Sequence, residues 1–292
     1  MKNNESRNIK LAIQKKGRLT EKSLELLKLC GIDIENYSER LVVSSNTFPI
    51  DIFFLRDDDI PEYVQDGVAD IGIVGENVVY EKKAEIESLE NLGFGKCKIM
   101  MAYPDSASLE SPQDLMNKTI ATSYPHIVRE YLKKENIQAK IIELSGSVEI
   151  APTLGVADVV CDIVSTGNTL MMNKLKKGFT VFESQAVLIS NKELATDSNL
   201  ETIKQDLLRR IRSVLSARRS KYLMMNVPKL SLEKIMKLIP SLRSPTIVPL
   251  ADNESVAVHA VIPSDYIWNI VDILKNEGAS GILLMPIENM IP

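Results

Sequence analysis

The sequence contains few of the residues that form disulfides, metal sites or catalytic triads. Its 292 residues include three cysteines and two histidines. The cysteines Cys30, Cys97 and Cys161 lie far apart in apolar segments. This pattern is typical of buried thiols in a reducing compartment, and it argues against disulfides and against a zinc site. HExxH and Ser-His-Asp patterns are absent as well, which argues against hydrolysis by zinc or by an activated serine.

The chain also lacks long apolar runs and an excess of positive charge. No run is long enough to cross a membrane, and the first residues, MKNNESRNIK, have no apolar signal core. We therefore expect a cytoplasmic protein with no membrane partner. A net charge of −4 argues against a nucleic-acid partner. The two common nucleotide fingerprints, GxGxxG before a helix and GxxxxGK[ST], do not occur.

The sequence does contain a regular alternation of strand-like and helix-like segments. This alternation predicts α/β layers with mainly parallel sheets. We expect one lobe from 1–102 and 183–219 and a second lobe from 103–182, joined by two crossings with a ligand cleft between them. Residues 220–292 follow the order β-α-β-β-α-β, which predicts a ferredoxin-like third domain.

The segment Glu149–Leu170 is the most informative part of the chain. Its apolar strand carries Asp162, breaks into Ser165-Thr166-Gly167-Asn168-Thr169 and becomes helical. Small residues after a strand suit an anion at a helix N-terminus, and the preceding carboxylate suits sugar hydroxyls. Together they indicate a phosphorylated ribose. Such a turn also serves simply to cap a helix, and the pattern alone leaves both interpretations open.

Two cationic segments follow predicted strands. Lys15, Lys16 and Arg18, with Gly17 among them, stand where an open α/β sheet binds ligands, at its carboxyl edge. Cations at a helix start oppose the helix dipole, so an anionic ligand accounts for them, with a solvated basic loop as the alternative. Arg56 is predicted to bind phosphate. We interpret residues 57–59, three aspartates, as a solvated turn and helix start, with magnesium binding as the alternative.

These segments together resemble the ATP phosphoribosyltransferase family, in its long form with a C-terminal regulatory domain. The spacing Glu149-x5-Gly155-x-Ala157-x2-Val160-x-Asp162-Ile163-x2-Thr166-Gly167-x-Thr169-Leu170 is similar to the family signature. The resemblance extends over essentially the whole chain, through QKKGRL (14–19), RDDDIP (56–61), DGVADIGIVGENV (66–78), ATSYPH (121–126), GSVEIAP (146–152), SKYLMMN (220–226), SPTIVPL (244–250) and LMPI (284–287).

The resemblance implies a fold and a reaction. The fold is two periplasmic-binding-protein-like (type II) lobes plus a ferredoxin-like, ACT-like α+β domain. The enzyme is a pentosyltransferase that moves 5-phosphoribosyl from phosphoribosyl pyrophosphate to N1 of ATP, with Mg²⁺, in the first step of histidine biosynthesis. Feedback inhibition by histidine and a shift between homodimer and homohexamer are also implied. No metal ligand is identified.

The resemblance implies roles for individual residues. Catalysis is assigned to Asp162 and Glu149. Phosphoribosyl pyrophosphate binding is assigned to Asp162, Ser165, Thr166, Gly167, Asn168 and Thr169. ATP binding is assigned to Gln14, Lys15, Gly17, Arg18, Arg56, Asp70 and Tyr124. Histidine binding is assigned to Asn226, Thr246, Ala279 and Ser280. Asn226 stands where some relatives have an aspartate, which removes one charged contact to the effector's ammonium group.

Two other classes of protein share parts of the pattern. A type I phosphoribosyltransferase also ends a strand in acids and a Thr-Gly turn, but it has two adjacent acids, and here Cys161 precedes Asp162. A solute-binding protein shares the two-lobe order. The missing signal peptide and the additional C-terminal domain argue against that class. For Asp70, a simple turn at the start of a strand is the alternative to a ligand contact.

Overall fold

A computed structural model describes residues 7–34, 40–164, 168–242 and 244–291. The chain divides into two compact units, Met1–Glu25 with Ile32–Lys204 and Leu26–Gly31 with Gln205–Pro292. Among the described residues, no helix has the length and apolar character that crossing a membrane requires. The architecture is α/β, as predicted.

The first unit contains two sheets, and the first of these has six strands. In sheet order they are β2 (Val42–Ser44), β3 (Ile50–Leu55), β1 (Ile9–Gln14), β4 (Ile71–Gly75), β11 (Ala186–Ser190) and β5 (Glu87–Asn91). Strands β1, β3 and β4 are parallel, and β11 runs antiparallel to β4. Because Gln14 pairs with Leu55, β1 and β3 end at the same level and their loops leave the same edge.

Helices connect the strands of this sheet. The helices between Gln14 and Glu87 are α1 (Thr20–Leu29), α2 (Ile60–Gln65) and α3 (Glu76–Lys82). Helix α2 packs closely on the sheet because residue 72 is glycine. A Cβ atom on Gly72 would lie 2.8 Å from Ile60 Cγ2 and 3.0 Å from Val64 Cγ2. Ile60 and Val64 are fully buried against the sheet.

The second sheet of this unit has five strands. In sheet order they are β10 (Leu175–Ser184), β6 (Cys97–Pro104), β9 (Val159–Val164), β7 (Thr119–Thr122) and β8 (Lys140–Glu143). Its helices are α4 (Pro125–Lys134) and α5 (Asn168–Met172). Strands β7, β8 and β9 are parallel. Apolar clusters cover both faces, with Cys161 in one and Val160 in the other, as expected of parallel strands.

The chain passes from the first sheet to the second between β5 and β6 and returns between β10 and β11. These are the two crossings that the sequence predicts. The exact domain boundaries stay a prediction, with one adjustment. Strand β6 pairs with β9 and β10 from Cys97–Lys98 onwards, so it belongs with the second lobe, although the predicted first lobe extends to residue 102. An apolar run does not reveal which sheet it joins.

The second unit carries the third sheet. After α6 (Ser198–Arg218), its elements are β12 (Ser220–Pro228), α7 (Leu232–Met236), β13 (Thr246–Pro249), β14 (Ser255–Pro263), α8 (Ile267–Asn276) and β15 (Ser280–Pro286). The antiparallel order β13-β14-β12-β15 is ferredoxin-like, as predicted. Alternate residues of β12 and β14, among them Leu223, Met225 and Val258, form its fully buried core.

Candidate active site

The cationic segments of the first lobe meet at one edge of the six-stranded sheet. The Lys15 N–H donates to the Leu55 carbonyl at 2.8 Å, which places the loop after β1 beside the loop after β3. Lys15, Arg18 and Arg56 are all exposed there. Two separate motifs thus form one positively charged edge at the carboxyl ends of parallel strands, where α/β sheets bind ligands.

The loop after β1 is built around Gln14. Its Oε1 accepts from the Leu19 N–H at 3.1 Å, and the Thr20 hydroxyl donates to its carbonyl at 2.9 Å. Gly17 has φ +146°, and a Cβ atom there would lie 2.5 Å from Gln14 Oε1. The side chain of Gln14, a predicted ATP contact, therefore supports the loop that carries Lys15 and Arg18.

Replacing Gly17 with alanine is expected to lower kcat/KM for ATP about 10-fold, because the new methyl group displaces Gln14 and with it the cations. Misplacing a binding group by about 1 Å costs on this order or more. Initial rates at varied ATP measure the effect. Gly93, which has a positive φ of 74° and open space around it, provides a matched control, since Gly93→Ala meets no atom within 4 Å. Equal rates for both variants would refute the role of the loop.

A second edge is formed by the five-stranded sheet. Thr122 of β7 pairs with Cys161 of β9, so Tyr124, just after β7, and Asp162, near the carboxyl end of β9, lie on neighbouring parallel strands. The Tyr124 N–H donates to Thr122 Oγ1 at 2.9 Å, and Asp162 Oδ1 accepts from the Ile163 N–H at 2.7 Å. Both side chains are half-buried. Their positions agree with a ligand site at this edge.

The electrostatics of Asp162 connect it with both lobes. Burial raises its pKa, and the negative charge of Glu149 raises it further, whereas the Ile163 N–H and the positive charge of Arg18 lower it. Glu149 lies in the 3-10 turn Val148–Ile150. The phenol of Tyr124 has its pKa raised by burial first and then by the charge of Asp162. It therefore remains a neutral hydroxyl at physiological pH.

Arg18 brings the two edges into one electrostatic environment. Burial raises the pKa of three groups, and the positive charge of Arg18 opposes the rise in each of them. The three are Asp57 beside the first edge, Cys97 at the crossing and Asp162 at the second edge. A cation from the first lobe thus acts on the carboxylate of the second, as a cleft between the lobes requires.

Asp57 differs from its predicted role. It lies in the 3-10 turn Asp57–Asp59 directly after Arg56, and among the described residues its buried Oδ1 has no hydrogen-bond partner. Burial raises its pKa to about 6, with a further rise from Asp58 and an opposing effect of Arg18. The interpretation as a solvated turn is therefore wrong for Asp57, because the turn directs this first aspartate inward. It holds for the exposed Asp58.

Asp70, a predicted ATP contact, lies away from this cluster. It precedes β4, which is parallel to β1, so it stands at the amino ends of these strands. Arg7 donates to both carboxylate oxygens at 2.6 and 2.7 Å, and the Lys10 N–H donates to Oδ2 at 2.8 Å. Asp70 is buried, and these bonds satisfy it. The structure gives it the alternative role, a turn at the start of a strand.

Most of the predicted phosphate loop, residues 165–169, lies outside the residues that the structure describes. Ser165, Thr166 and Gly167 are outside the described residues, as are the side chains of Asn168 and Thr169. Helix α5 begins directly after this gap, at Asn168.

A cavity of about 640 Å³ opens beside Val164, the residue before that loop. Lysines contribute to its lining, namely Lys96, Lys98 and Lys177, together with Glu76 and Glu183. Lys98 Nζ lies 2.7 Å from Glu183 Oε1. The sequence does not reveal these lysines as a group, because no motif surrounds them and only the pairing of β6 with β10 brings them together.

The carboxylates of the second edge determine whether Mg²⁺ fits. Among the described ranges, no group of three histidine, cysteine or acidic side chains forms a site for a metal ion. Magnesium, however, is usually bound by one or two carboxylates together with substrate phosphates and water. The turn that carries Glu149 contacts strand β9, which carries Asp162, so this edge offers two carboxylates, the ligand type that such a shared ion takes.

Three of the four predicted histidine contacts come together in the third sheet. Asn226 of β12 pairs with Ser280 of β15, next to the buried Ala279. The Oδ1 atom of Asn226 is buried, with no hydrogen-bond partner in the described part of the chain. The fourth contact, Thr246, lies on the edge strand opposite His259, two register positions further along.

Comparison with known proteins gives one family over the whole chain. A family model described as ATP phosphoribosyltransferase matches residues 56–213, and a model described as the HisG C-terminal domain matches residues 217–289. An ATP phosphoribosyltransferase of Cytophaga hutchinsonii is 44% identical over 283 residues, 97% of this chain and 98% of the relative. One from Azobacteroides pseudotrichonymphae is 46% identical over 97% of this chain and 99% of the relative.

A solved structure agrees with these matches. The ATP phosphoribosyl transferase HisG:HisZ complex from Thermotoga maritima contains a chain with 30% identity and a TM-score of 0.58, which covers 70% of this chain and 98% of its own. The sequence resemblance is thereby confirmed. The chain belongs to the ATP phosphoribosyltransferase family, in the form that carries a C-terminal domain.

Proposed function

We propose that the cleft between the two lobes transfers 5-phosphoribosyl from phosphoribosyl pyrophosphate to N1 of ATP, the first step of histidine biosynthesis. The observation that carries this proposal is the pair of sheet edges, with Lys15, Arg18 and Arg56 on the first lobe and Asp162 on the second, in a chain of the ATP phosphoribosyltransferase family. The effect of Arg18 on the pKa of Asp162 agrees with it. Two polyanionic substrates that react with each other need one cleft with cations on one side and a ribose-binding carboxylate on the other.

Each edge takes one part of the substrates. Lys15, Arg18 and Arg56 hold the phosphates of ATP or the departing pyrophosphate, since all three are exposed cations at a sheet edge. Asp162 accepts hydrogen bonds from the ribose hydroxyls, and residues 165–169 bind the 5-phosphate at the start of α5. The neutral Tyr124 shapes the nucleotide site.

The reaction needs positioning more than proton transfer. The lone pair of adenine N1 forms the new bond to ribose C1, while the bond from C1 to the pyrophosphate oxygen breaks and its electron pair leaves with pyrophosphate. Positive charge develops at C1, and the carboxylates of Asp162 and Glu149 stabilise it. When bound, Mg²⁺ neutralises charge on the diphosphate, and Asp162 and Glu149 are the residues that would hold it. The first-lobe cations hold the nucleotide in line with C1.

The proposed activity is tested by mixing the protein with ATP, phosphoribosyl pyrophosphate and Mg²⁺. We expect the absorbance change that accompanies substitution at adenine N1, and release of one pyrophosphate for each product formed. Binding of a solute without turnover would support the solute-binding class, and transfer to a free base in place of ATP would support a type I phosphoribosyltransferase.

We further propose that histidine inhibits the enzyme through the ferredoxin-like domain. The site is the row formed by Asn226, Ala279 and Ser280, with Thr246 on the neighbouring edge strand. The buried Asn226 Oδ1 supports this assignment, since a buried acceptor without a partner favours a ligand that donates a hydrogen bond. The α-ammonium group of histidine is such a donor.

Replacing Asn226 with aspartate is expected to strengthen histidine inhibition about 10-fold, because a charged acceptor binds an ammonium group more tightly by roughly 1.5 kcal/mol. Without histidine, the new carboxylate is buried and unpaired, so the melting temperature should fall and histidine should restore it. Inhibition curves and thermal shifts measure both effects. The exposed Asn253→Asp variant is the control. Unchanged inhibition together with an unchanged response of the melting temperature would place histidine elsewhere.

We also propose that the enzyme is a homodimer that shifts to a homohexamer. Apolar side chains exposed on the third sheet support this proposal. Val248 on one edge strand and Leu283 and Met285 on the other are 44%, 51% and 40% exposed, and exposed apolar side chains favour association. Light scattering with and without histidine measures the shift.

We place the enzyme in the cytoplasm, because Cys30, Cys97 and Cys161 are free thiols, as in reducing compartments.

A further inference from the structure

Helix α4, which follows the second edge of the cleft, begins without a cap of its own. Tyr124 occupies its N-cap position but makes no side-chain capping bond, and the first turn contains no acidic residue. Pro125 at the first helical position needs no partner, because proline has no N–H. The N–H groups of His126 and Ile127 do need acceptors, since no preceding turn supplies a carbonyl.

Glu81 supplies both acceptors from the other lobe. The His126 N–H donates to Glu81 Oε1 at 2.8 Å, and the Ile127 N–H donates to Oε2 at 2.9 Å. Glu81 lies in α3, which follows strand β4 of the first sheet, whereas α4 follows strand β7 of the second. Bonds from N–H groups to an ionised carboxylate are short and strong, and negative charge is favourable at a helix N-terminus.

Aromatic rings beside Glu81 join the same two lobes. The Tyr80 ring stacks on the His126 ring with centroids 5.5 Å apart, and its centroid lies 5.1 Å from that of Phe182 on β10. Such pairs favour a fixed orientation of the packed elements. Residues 80 and 81 of the first lobe therefore contact the second lobe at both the start of α4 and the strand β10.

We propose that Glu81 is a positioning residue, a latch that holds the start of α4 against the first lobe and so keeps Tyr124 and Asp162 in place opposite Arg18. This inference rests on the proposed function for its effect on catalysis. The latch is needed because ATP bound at one edge must reach C1 of the ribose bound at the other. Small displacements of reacting atoms cost up to about 100-fold in rate.

The test compares Glu81→Gln with Glu81→Asp and with the control Glu85→Gln, in the full-length protein. Glu85 is an exposed acid of the same lobe whose replacement changes the charge equally. Glutamine keeps one acceptor oxygen but presents an NH₂ group to the second N–H. We expect faster hydrogen exchange of the His126 and Ile127 amides in Glu81→Gln, about 10-fold, with kcat lowered about 10-fold and KM for each substrate changed less.

If Glu81 only stabilised the fold, the rate would fall only as far as the protein unfolds. Rates are therefore measured well below the melting temperature, with unchanged circular dichroism. Glu81→Asp should recover part of kcat because it keeps the charge. Unchanged exchange at both amides overturns the latch. Faster exchange with unchanged kcat overturns the positioning role. Amide exchange is measured without turnover. An inactive wild-type protein would therefore contradict the proposed function, while the exchange rates would still test the latch.

Discussion

Replacing Asp162 with asparagine is expected to lower kcat at least ~10-fold, since hydrogen bonds to a charged group are worth roughly 1.5–3 kcal/mol. The change removes the carboxylate that we propose binds the ribose hydroxyls and stabilises the positive charge at C1, but it keeps the size of the side chain. Burial raises the pKa of Asp162, so the neutral amide does not destabilise this position. The loss of rate should therefore occur without a fall in melting temperature. Steady-state rates and thermal unfolding of the same preparation measure both.

Asp105→Asn is the matched control for this variant. Asp105 is a largely exposed carboxylate of the same lobe, 3.8 Å from Lys176 Nζ, and its removal changes the net charge equally. We expect the control to retain the wild-type melting temperature, because exposed ion pairs contribute little to stability. We expect it to retain wild-type rates, because Asp105 is not one of the proposed site residues. Wild-type turnover in Asp162→Asn would rule out its assigned role.

Replacing Asp57 with asparagine is expected to stabilise the protein by about 1–3 kcal/mol near neutral pH. The carboxyl of Asp57 has its pKa raised by burial from its ordinary value of 3.8 to about 6. Each pKa unit corresponds to about 1.4 kcal/mol, which sets a ceiling of roughly 3 kcal/mol on the gain. The amide removes the burial cost of the charge and the repulsion from Asp58.

The sign of the pH dependence follows from this shift. A pKa raised in the folded state means that the charged form destabilises the fold. The penalty is absent below about pH 4, grows between about pH 4 and 6, and is complete above about pH 6. Urea unfolding of the wild type and Asp57→Asn should therefore differ near pH 8 and converge near pH 4. The exposed Asp58→Asn variant should show a smaller gain. A gain independent of pH would contradict the burial of the charge.

The order of the elements followed from local patterns in the sequence. Strands β1, β3, β4, β7 and β9 are short apolar runs followed by helical spacing, and the C-terminal order β-α-β-β-α-β has clear turn residues. Strand β5 was not predicted, because ESLEN is a polar strand that lies at the sheet edge and carries no alternating apolar signal. The membership of β6 depends on pairing between distant segments, which no local pattern encodes.

The candidate site was predictable where residues follow the ends of parallel strands. Lys15, Arg18, Arg56 and Tyr124 are of this kind, and Asp162 lies near the carboxyl end of β9. Their neighbours along the chain were harder to interpret. Aspartates in a turn look alike in a sequence, yet in a single 3-10 turn Asp57 is half-buried and Asp58 is exposed.

Two acids depend on contacts that lie far apart in sequence. Asp70 is held by Arg7 at the amino ends of the strands, and Glu81 reaches a helix of the other lobe. Neither contact has a local signature.

We propose that N1 of ATP attacks C1 of the ribose in the cleft between the two lobes. This bond can be detected by NMR of the product made from ATP labelled with ¹⁵N at N1 and phosphoribosyl pyrophosphate labelled with ¹³C at C1. We predict a one-bond coupling between the two labels for the wild-type protein, and much slower formation of the same product by Asp162→Asn. A product without this coupling would contradict the proposed attack of N1 on C1, and equal rates of product formation by both proteins would contradict the role of Asp162.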